Sequence, residues 1–104
     1  MTRLEQLMQL HEELKDDPFI WFAIAKELEK TGAEEKAIIW FEKLVSLAPN
    51  EVGTYYHFAQ LLSRQKKYKE AFQMILKGKE IGILQKDMHA VSELNRLQFD
   101  IEEE

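Results

Sequence analysis

Cysteine does not occur in this sequence, and histidine, proline and glycine are rare, with three, two and four copies among 104 residues. The lack of cysteine excludes a disulfide framework, a thiolate nucleophile and any metal or cluster site with cysteine ligands. The scarcity of glycine and proline argues against a loop-rich fold and a glycine-rich phosphate cradle. No apolar run approaches the length of about 20 residues that a membrane-spanning helix needs. The first residues also lack the apolar core of a signal peptide, so we expect a cytoplasmic protein without membrane attachment.

What remains is the composition of one globular domain, with 45% hydrophobic and 32% charged residues. Apolar residues recur at helical spacing along almost the whole chain and nowhere alternate as they do in a strand. The sequence therefore predicts an all-α protein with about six short helices joined by tight turns.

The helix boundaries follow from capping and stop signals. Thr2 followed by Glu5 has the form of a capping box and predicts the start of the first helix. Asp17 and Pro18 predict the start of the second helix, and Gly32 its left-handed end. The other expected boundaries are a third helix from about Glu34 to Ala48, a cap at Asn50, a turn at Lys66-Lys67, a fifth helix over Tyr68 to Ile81 and a cap at Asp87.

The chain repeats itself at an offset of 34 residues. Residues of similar size and polarity pair across that offset at most of the positions expected to be buried. The pairs are Trp21 with Tyr55, Phe22 with Tyr56, Ile24 with Phe58, Ala25 with Ala59, Leu28 with Leu62, Ala37 with Ala71, Ile38 with Phe72, Phe41 with Ile75, Lys43 with Lys77 and Leu47 with Ile81. This period, with two helices per copy, indicates a helical repeat protein.

The repeat resembles the tetratricopeptide repeat (TPR) family, in which Trp, Leu-Gly, Tyr, Ala, Phe and Pro recur at fixed spacing. The first copy has Trp21, Ile24-Ala25, Leu28, Gly32, Ala37, Phe41 and Pro49, and the second has Tyr55, Phe58-Ala59, Leu62, Tyr68, Ala71, Ile75 and Ile83. The resemblance implies an all-α, right-handed superhelical stack of antiparallel helix pairs, a TPR-like α-solenoid. Gly78 replaces the usual alanine and Ile83 the usual proline, so we expect the fifth helix to be longer or less regular at its end.

We assign residues 1–104 to a single TPR-like domain. Its expected parts are an N-terminal packing helix (2–16), repeat 1 (18–51), repeat 2 (52–85), a C-terminal capping helix (86–101) and an acidic tail (102–104). The flanking helices are expected to cover the ends of the two repeats. The residues expected to do so are Leu4, Leu7 and Leu10 in the first helix and Met88, Val91, Leu94 and Leu97 in the last.

No constellation in the sequence indicates catalysis. His11, His57 and His89 lack metal-ligand spacing, and we expect surface or half-buried helix positions for them. The carboxylates lie at helix starts or on exposed faces, where they interact with the helix dipole at most. We therefore expect no catalytic residue, no metal and no cofactor.

The resemblance implies a protein-interaction module that binds a peptide or protein segment in the concave groove, which the inner faces of the first helix of each repeat line. The candidate binding residues are Phe22, Lys26, Tyr56, His57, Gln60 and Arg64. Phe22 and Tyr56 are expected side by side, with Lys26 and Gln60 as a second row one turn further on. An alternative is that Phe22 and Tyr56 simply pack on each other or on the N-terminal helix. The Lys, Asn and Arg clamp with which some family members hold a peptide carboxylate is not matched.

The charge distribution leaves two further possibilities. The net charge is −5, which argues against nucleic acid as a partner, while residues 64–86 hold seven Lys or Arg against two Glu. That basic stretch is either a solvated surface or a site for an acidic partner. Self-association as a homodimer through the end helices is the alternative function, and exposed Phe99 and Ile101 would favour it.

Overall fold

The computed structural model describes residues 1–103, and over that range the chain forms six α-helices and no β-strand. In chain order they are α1 (Arg3–Glu13), α2 (Pro18–Lys30), α3 (Glu34–Leu47), α4 (Val52–Arg64), α5 (Tyr68–Leu84) and α6 (Met88–Glu102). The predicted all-α class and the predicted number of helices are confirmed. No helix in this range is long and apolar enough to cross a lipid bilayer.

The start of α1 carries the predicted capping box. The Thr2 hydroxyl accepts a hydrogen bond from the Glu5 backbone N–H at 3.1 Å. The Glu5 carboxylate in turn accepts one from the Thr2 backbone N–H at 3.0 Å. These reciprocal bonds satisfy two of the N–H groups that a helix start leaves without partners. The helix ends at Glu13, three residues before the predicted boundary at Asp16.

Two of the remaining predicted caps are confirmed and one is wrong. Asp17 accepts a hydrogen bond from the backbone of α2, and Asp87 accepts one from the backbone of α6. At α4, however, Glu51 rather than Asn50 is the N-cap, and its side chain makes no capping bond. Asn50 lies in the preceding turn. Its backbone carbonyl oxygen accepts a hydrogen bond of 2.6 Å from the Gln85 side chain.

Three helices end in the same left-handed turn. Gly32 has φ +90°, as predicted, and Lys66 and Lys86 have φ +61° and +59°. The residue after each of them donates its N–H to a carbonyl five residues earlier, in the bonds Ala33 to Leu28, Lys67 to Leu62 and Asp87 to Gly82. This is the bond pattern of a Schellman cap, which satisfies carbonyl groups at the helix end. The predicted turn at Lys66-Lys67 is confirmed.

The chain forms two compact units, of which the first, Met1–Pro49, contains α1, α2 and α3. Ala25 of α2 and Ala37 of α3 have no exposed surface, and their methyl groups allow close helix packing. Leu7 is the buried leucine of α1, whereas Leu10 is 44% exposed and does not belong to the core as expected. The reason is that Leu7 and His11, one turn apart, take the inward face of α1 and thereby turn Leu10 outward.

The second unit begins at Asn50 and contains α4, α5 and α6. Gly78 of α5 faces Leu94 of α6, and Gly82 faces Val91, so the two helices run antiparallel. The expectation of a longer fifth helix is confirmed, because α5 continues past Ile81 to Leu84. The absence of proline at position 83 allows these additional residues to stay helical.

The last helix covers this unit with one apolar face and differs from the prediction at two residues. Its buried residues are Val91, Leu94, Leu97 and Ile101. Met88 is 60% exposed because it is the first residue of α6 and lies beside the turn. Ile101 is 6% exposed and Phe99 58% exposed, so the expectation of an exposed Ile101 is wrong. Ile101 follows Leu97 and Leu94 at helical spacing and shares their face. Glu102 still belongs to α6, and Glu104 lies outside the described residues.

Candidate protein-binding surface

Phe22 and Lys26 lie one turn apart on α2, beside its buried residues Ile20, Ile24, Ala25 and Leu28. The Phe22 ring is half-buried, and its centroid lies 6.2 Å from that of Phe41 with the ring planes at 73°. This edge-to-face contact is a favoured geometry for aromatic pairs. The Lys26 ammonium lies 3.1 Å from the Glu29 carboxylate, and the two side chains are 37% and 9% exposed. Packing therefore holds both candidate residues of α2 in defined positions.

Phe19 extends this surface, and sequence reasoning missed it. It is the second residue of α2 and is 77% exposed, more than any other Phe, Tyr or Trp residue in the described chain. Phe19, Ala23, Lys26 and Lys30 recur at helical spacing and form one stripe. The repeat comparison could not reveal Phe19, because the residue 34 positions later is Gly53. Its place in the first turn, outside the apolar stripe of Ile20 and Ile24, is the sequence signal that could have identified it.

Four of the predicted site residues lie on α4. Tyr56, His57 and Gln60 are half-buried, and Arg64, the last residue of the helix, is exposed. The Tyr56 and His57 rings contact each other edge to face, with centroids 5.6 Å apart and planes at 89°. The surface of α4 thus combines two aromatic rings, an amide and a guanidinium group along three turns.

The structure brings the predicted site residues together in two sets, one per unit. Phe22 and Lys26 belong to the first unit and the four residues of α4 to the second. The side-by-side placement of Phe22 and Tyr56 joins residues of different units and stays a prediction. The alternative, that Phe22 and Tyr56 pack on each other or on the N-terminal helix, also stays a prediction. The ring contact described for Phe22 is with Phe41 of α3.

The seven basic residues from Arg64 to Lys86 do not form one patch. Lys66 precedes α5 and Lys86 follows it, and a helix of 17 residues is about 25 Å long. The Lys79 ammonium donates a hydrogen bond of 2.8 Å to the Gln98 side chain and is half-buried. This stretch is therefore spread over two turns and the outside of one helix.

An aromatic cluster of His11, Trp21 and Trp40 connects the three helices of the first unit. Each pair of rings meets edge to face, with centroid distances of 5.2, 5.1 and 5.2 Å. The Trp21 indole N–H donates a 2.6 Å hydrogen bond to the Lys15 carbonyl. The Lys43 ammonium lies 5.7 Å from the Trp40 ring centroid, within cation–π range. These contacts make the cluster a packing element that holds α1 against α2 and α3.

Shifted pKa values occur at Glu5 of α1 and at Tyr55 of α4. Hydrogen bonding with Thr2, first through its backbone N–H and then through its hydroxyl, holds the pKa of the Glu5 carboxyl below its usual value. Burial raises the pKa of the Tyr55 phenol. Among residues 1–103, no group of three or more His, Asp or Glu side chains is arranged to hold a metal ion.

Comparison with known proteins agrees with this architecture. The family model of the tetratricopeptide repeat matches residues 20–51. Two similar solved structures are a solution NMR structure and a crystal structure of a tetratricopeptide repeat domain protein from Salinibacter ruber. The NMR structure is 32% identical, with 83% of this chain and 87% of that chain covered and a TM-score of 0.78. The crystal structure is 32% identical, with coverages of 83% and 96% and a TM-score of 0.76.

No curated protein matches the chain. The family model, the solved structures and the two internal copies agree, and the chain belongs to the tetratricopeptide repeat family. Domains of this family generally mediate protein–protein interaction and are generally non-catalytic.

Proposed function

We propose that this chain is a non-catalytic adaptor that binds a peptide or protein segment through the faces of α2 and α4 that carry Phe22 and Tyr56. The family supports the general role, and the residues on these two faces support the location. The proposal needs no metal and no cofactor.

The observation that carries the proposal is an aromatic residue at the same repeat position in both copies. Phe22 and Tyr56 are 34 residues apart, and neither belongs to the fully buried core. Phe41 and His57 contact their rings edge to face. An aromatic side chain that is already held in place loses little conformational entropy on binding and offers a large contact area, which is typical of interface hot spots.

The polar residues on the same faces indicate the chemistry of the partner. Lys26 and Lys30 lie on the exposed side of α2, with Gln60 and Arg64 at the equivalent positions of α4. Phe19 adds an exposed apolar anchor at the start of α2. This combination suits a segment with apolar side chains and several hydrogen-bond acceptors.

The test is a binding measurement with the double variant Phe22→Ala with Tyr56→Ala. A partner recovered by crosslinking from the native cell is purified, and its affinity for the wild type and the variant is measured by calorimetry. Loss of a hot-spot aromatic costs about 2 kcal/mol or more, which corresponds to at least about thirtyfold in affinity. Circular dichroism checks that the variant remains helical.

The matched control is Phe99→Ala, which removes an exposed aromatic ring from α6. We expect this variant to bind as the wild type does. If the folded double variant keeps full affinity, the partner does not use these faces and the proposal is wrong.

Self-association through the last helix is the second candidate function. Phe99 is 58% exposed and favours it, but the burial of Ile101 removes the other residue on which this hypothesis depended. Phe99 is surrounded by exposed polar residues of α6 and of its C-cap, namely Asn95, Arg96, Asp100 and Glu103. An interface core is usually more apolar than this, so the adaptor role is the better supported proposal.

A further inference from the structure

Helix α1 is attached to the first unit by fewer buried side chains than any other helix. Leu7 is its one buried residue, whereas every other helix buries at least four. Its apolar face is wider than this contact, since Met8 and Leu10 are 38% and 44% exposed. Because tertiary packing of an apolar face supplies most of the stability of a helix in a protein, α1 is the most weakly held of the six.

The second contact of α1 leaves a polar atom unsatisfied. His11 follows Leu7 by one turn, and its ring contacts Trp21 and Trp40 at centroid distances of 5.2 and 5.1 Å. Its Nδ1 atom is buried and has no hydrogen-bond partner among residues 1–103. A buried polar atom without a partner costs desolvation free energy that no new bond returns. An apolar group of similar shape at this position would avoid that cost.

The surface beneath His11 does not depend on α1. Trp21 of α2 and Trp40 of α3 contact each other directly, with centroids 5.2 Å apart. Helices α2 and α3 also pack closely through Ala25 and Ala37, neither of which has exposed surface. We call the two tryptophan rings the aromatic seat. The seat keeps its own contacts when α1 is absent from it.

The link between α1 and α2 allows α1 to leave. Helix α1 ends at Glu13 and α2 begins at Pro18. Leu14, the first residue of the link, has a non-helical backbone with φ −125° and ψ 62°. The hydrogen bond of the Trp21 indole N–H ends on Lys15, which belongs to the link and not to α1. A rotation at Leu14 therefore removes α1 from the seat without breaking this bond.

We propose that α1 is a displaceable latch over the aromatic seat, and that the seat binds an amphipathic helix of a partner protein when α1 leaves. The chemistry of this helix follows from what covers the seat in the structure. It presents an aliphatic side chain and, one turn later, a ring, as Leu7 and His11 do. Binding of a helix in a groove depends on residues at this spacing.

The unsatisfied Nδ1 atom of His11 explains why a partner helix replaces α1. A short link holds α1 near the seat at an effective concentration in the millimolar range. A partner helix must therefore bind the seat more tightly than α1 does by itself. An apolar ring at the position of His11 provides about tenfold in affinity, because it removes the cost of the unpaired nitrogen. The α1 helix of a second copy carries the same histidine and lacks this advantage.

The aromatic seat differs from the surface to which the adaptor role is assigned. Trp21 precedes Phe22 in the sequence, but successive residues of a helix point to different sides. Binding at the seat and binding at the faces that carry Phe22 and Tyr56 use different side chains. The variants below keep Phe22 and Tyr56, so the two proposals can fail independently.

The first test uses the fluorescence of the two tryptophans, which are the only ones in the chain and both belong to the seat. The full chain with Leu7→Asp is expected to release α1, so its emission shifts to longer wavelength. A synthetic peptide of residues 2–16, which contains no tryptophan, is expected to shift the emission back. The same peptide with Leu7→Asp is the matched control and should leave the emission unchanged.

Circular dichroism checks that the released variant keeps its remaining helices. If it does not, Leu7→Ala takes its place, since this smaller change still weakens the attachment of α1 by at least about thirtyfold. An emission that does not respond to millimolar native peptide in a folded variant overturns the proposal. An equal response to the control peptide also overturns it, because binding would then not depend on the pattern of α1.

The second test changes the histidine. The peptide with His11→Phe is expected to bind the released variant about tenfold more tightly than the native peptide. Weaker binding of this peptide would show that the ring nitrogen is not a cost. Sedimentation of the wild type should give the 12.3 kDa monomer. A dimer that Leu7→Asp dissociates would overturn the choice of a partner and assign the seat to a second copy.

Hydrogen exchange tests the latch in the full chain. The backbone amides of Leu10 and His11 are expected to exchange through one common opening that leaves α2 and α3 folded. His11→Phe should slow this exchange about tenfold. His89→Phe on α6 is the matched control, because the His89 side chain is 86% exposed, and it should leave the exchange of α1 unchanged. Amides of α1 that exchange only when the whole unit unfolds would overturn the proposal.

Discussion

Gly78 shows how the absence of one side chain determines a helix contact. A Cβ atom at this position would lie 2.8 Å from the Cβ of Tyr55 and 2.9 Å from a methyl group of Leu94. The Leu94 methyl is the end of a flexible side chain and can move, but the Tyr55 Cβ moves only with the backbone of α4. The departure from the usual alanine of the family is thus explained by the close approach of α4 to α5.

The substitution Gly78→Ala is expected to lower the free energy of unfolding by about 1–3 kcal/mol, as overpacked sites do. This loss should outweigh the gain of about 1 kcal/mol that alanine brings to a helix interior. Gly53→Ala is the matched control, because a Cβ atom added at Gly53 of α4 would have no neighbour within 4 Å. Urea denaturation should show a stabilised Gly53 variant and a destabilised Gly78 variant. Stabilisation by both would contradict the close contact.

Tyr55 supplies a pH-dependent prediction at the same scale. It is 2% exposed, and burial raises the pKa of its phenol in the folded chain. The neutral phenol therefore contributes its full stability below a pH of about 10, which is the pKa of tyrosine in an unfolded chain. This contribution is lost as the pH rises through the higher pKa of the folded chain. The stability of the wild type should fall relative to Tyr55→Phe between about pH 8 and about pH 11. A constant difference between the two proteins over that range would show that folding does not raise the pKa of the Tyr55 phenol.

At the scale of helices, the sequence predicted the existence and nearly all boundaries of the six elements, because those depend on local signals. Thr2, Asp17, Gly32 and Asp87 act where the pattern placed them. What local signals could not decide was which edge of an apolar stripe is buried. In α1, the ring of His11 contacts both Trp21 and Trp40 and determines the rotation of the helix. This contact depends on residues distant in sequence.

The last helix gives a prediction that compares its buried Ile101 with its exposed Phe99. Ile101→Ala is expected to reduce the free energy of unfolding by about 2 kcal/mol or more, because it opens a cavity beneath α6. Phe99→Ala removes a larger side chain yet is expected to change stability by less than about 0.5 kcal/mol, as exposed substitutions do. Thermal unfolding of the two variants should differ accordingly. Equal losses would mean that Phe99 is also covered.

For the whole molecule, the charge is distributed unequally along the sequence. Residues 1–51 hold 11 acidic and 6 basic side chains, whereas residues 52–104 hold 8 of each. The binding surface was predictable only in part from such patterns. Repeat equivalence identified Phe22 and Tyr56, but Phe19 pairs with Gly53 and was missed. The dispersal of the basic stretch became evident only from the length of α5.

This charge distribution predicts that the chain does not bind nucleic acid. Proteins that bind DNA without specificity typically do so with dissociation constants of about 10⁻⁴ to 10⁻⁶ M at physiological salt. We expect weaker binding than this, since the net charge is −5 and the exposed lysines of the second unit are scattered. Fluorescence anisotropy with a labelled DNA duplex measures this dissociation constant. Saturable, salt-sensitive binding at micromolar protein would contradict the prediction.

The packing order within each unit also has a consequence for the speed of folding. In the first unit α1 packs on α2 and α2 on α3, and in the second α4 packs on α5 and α5 on α6. Helices that are neighbours in the sequence therefore make most of these contacts, and short loops close them at small entropic cost. Helical proteins with such local contacts fold within microseconds to milliseconds. A chain that emerges from the ribosome residue by residue can thus form each helix pair as soon as its second member is complete.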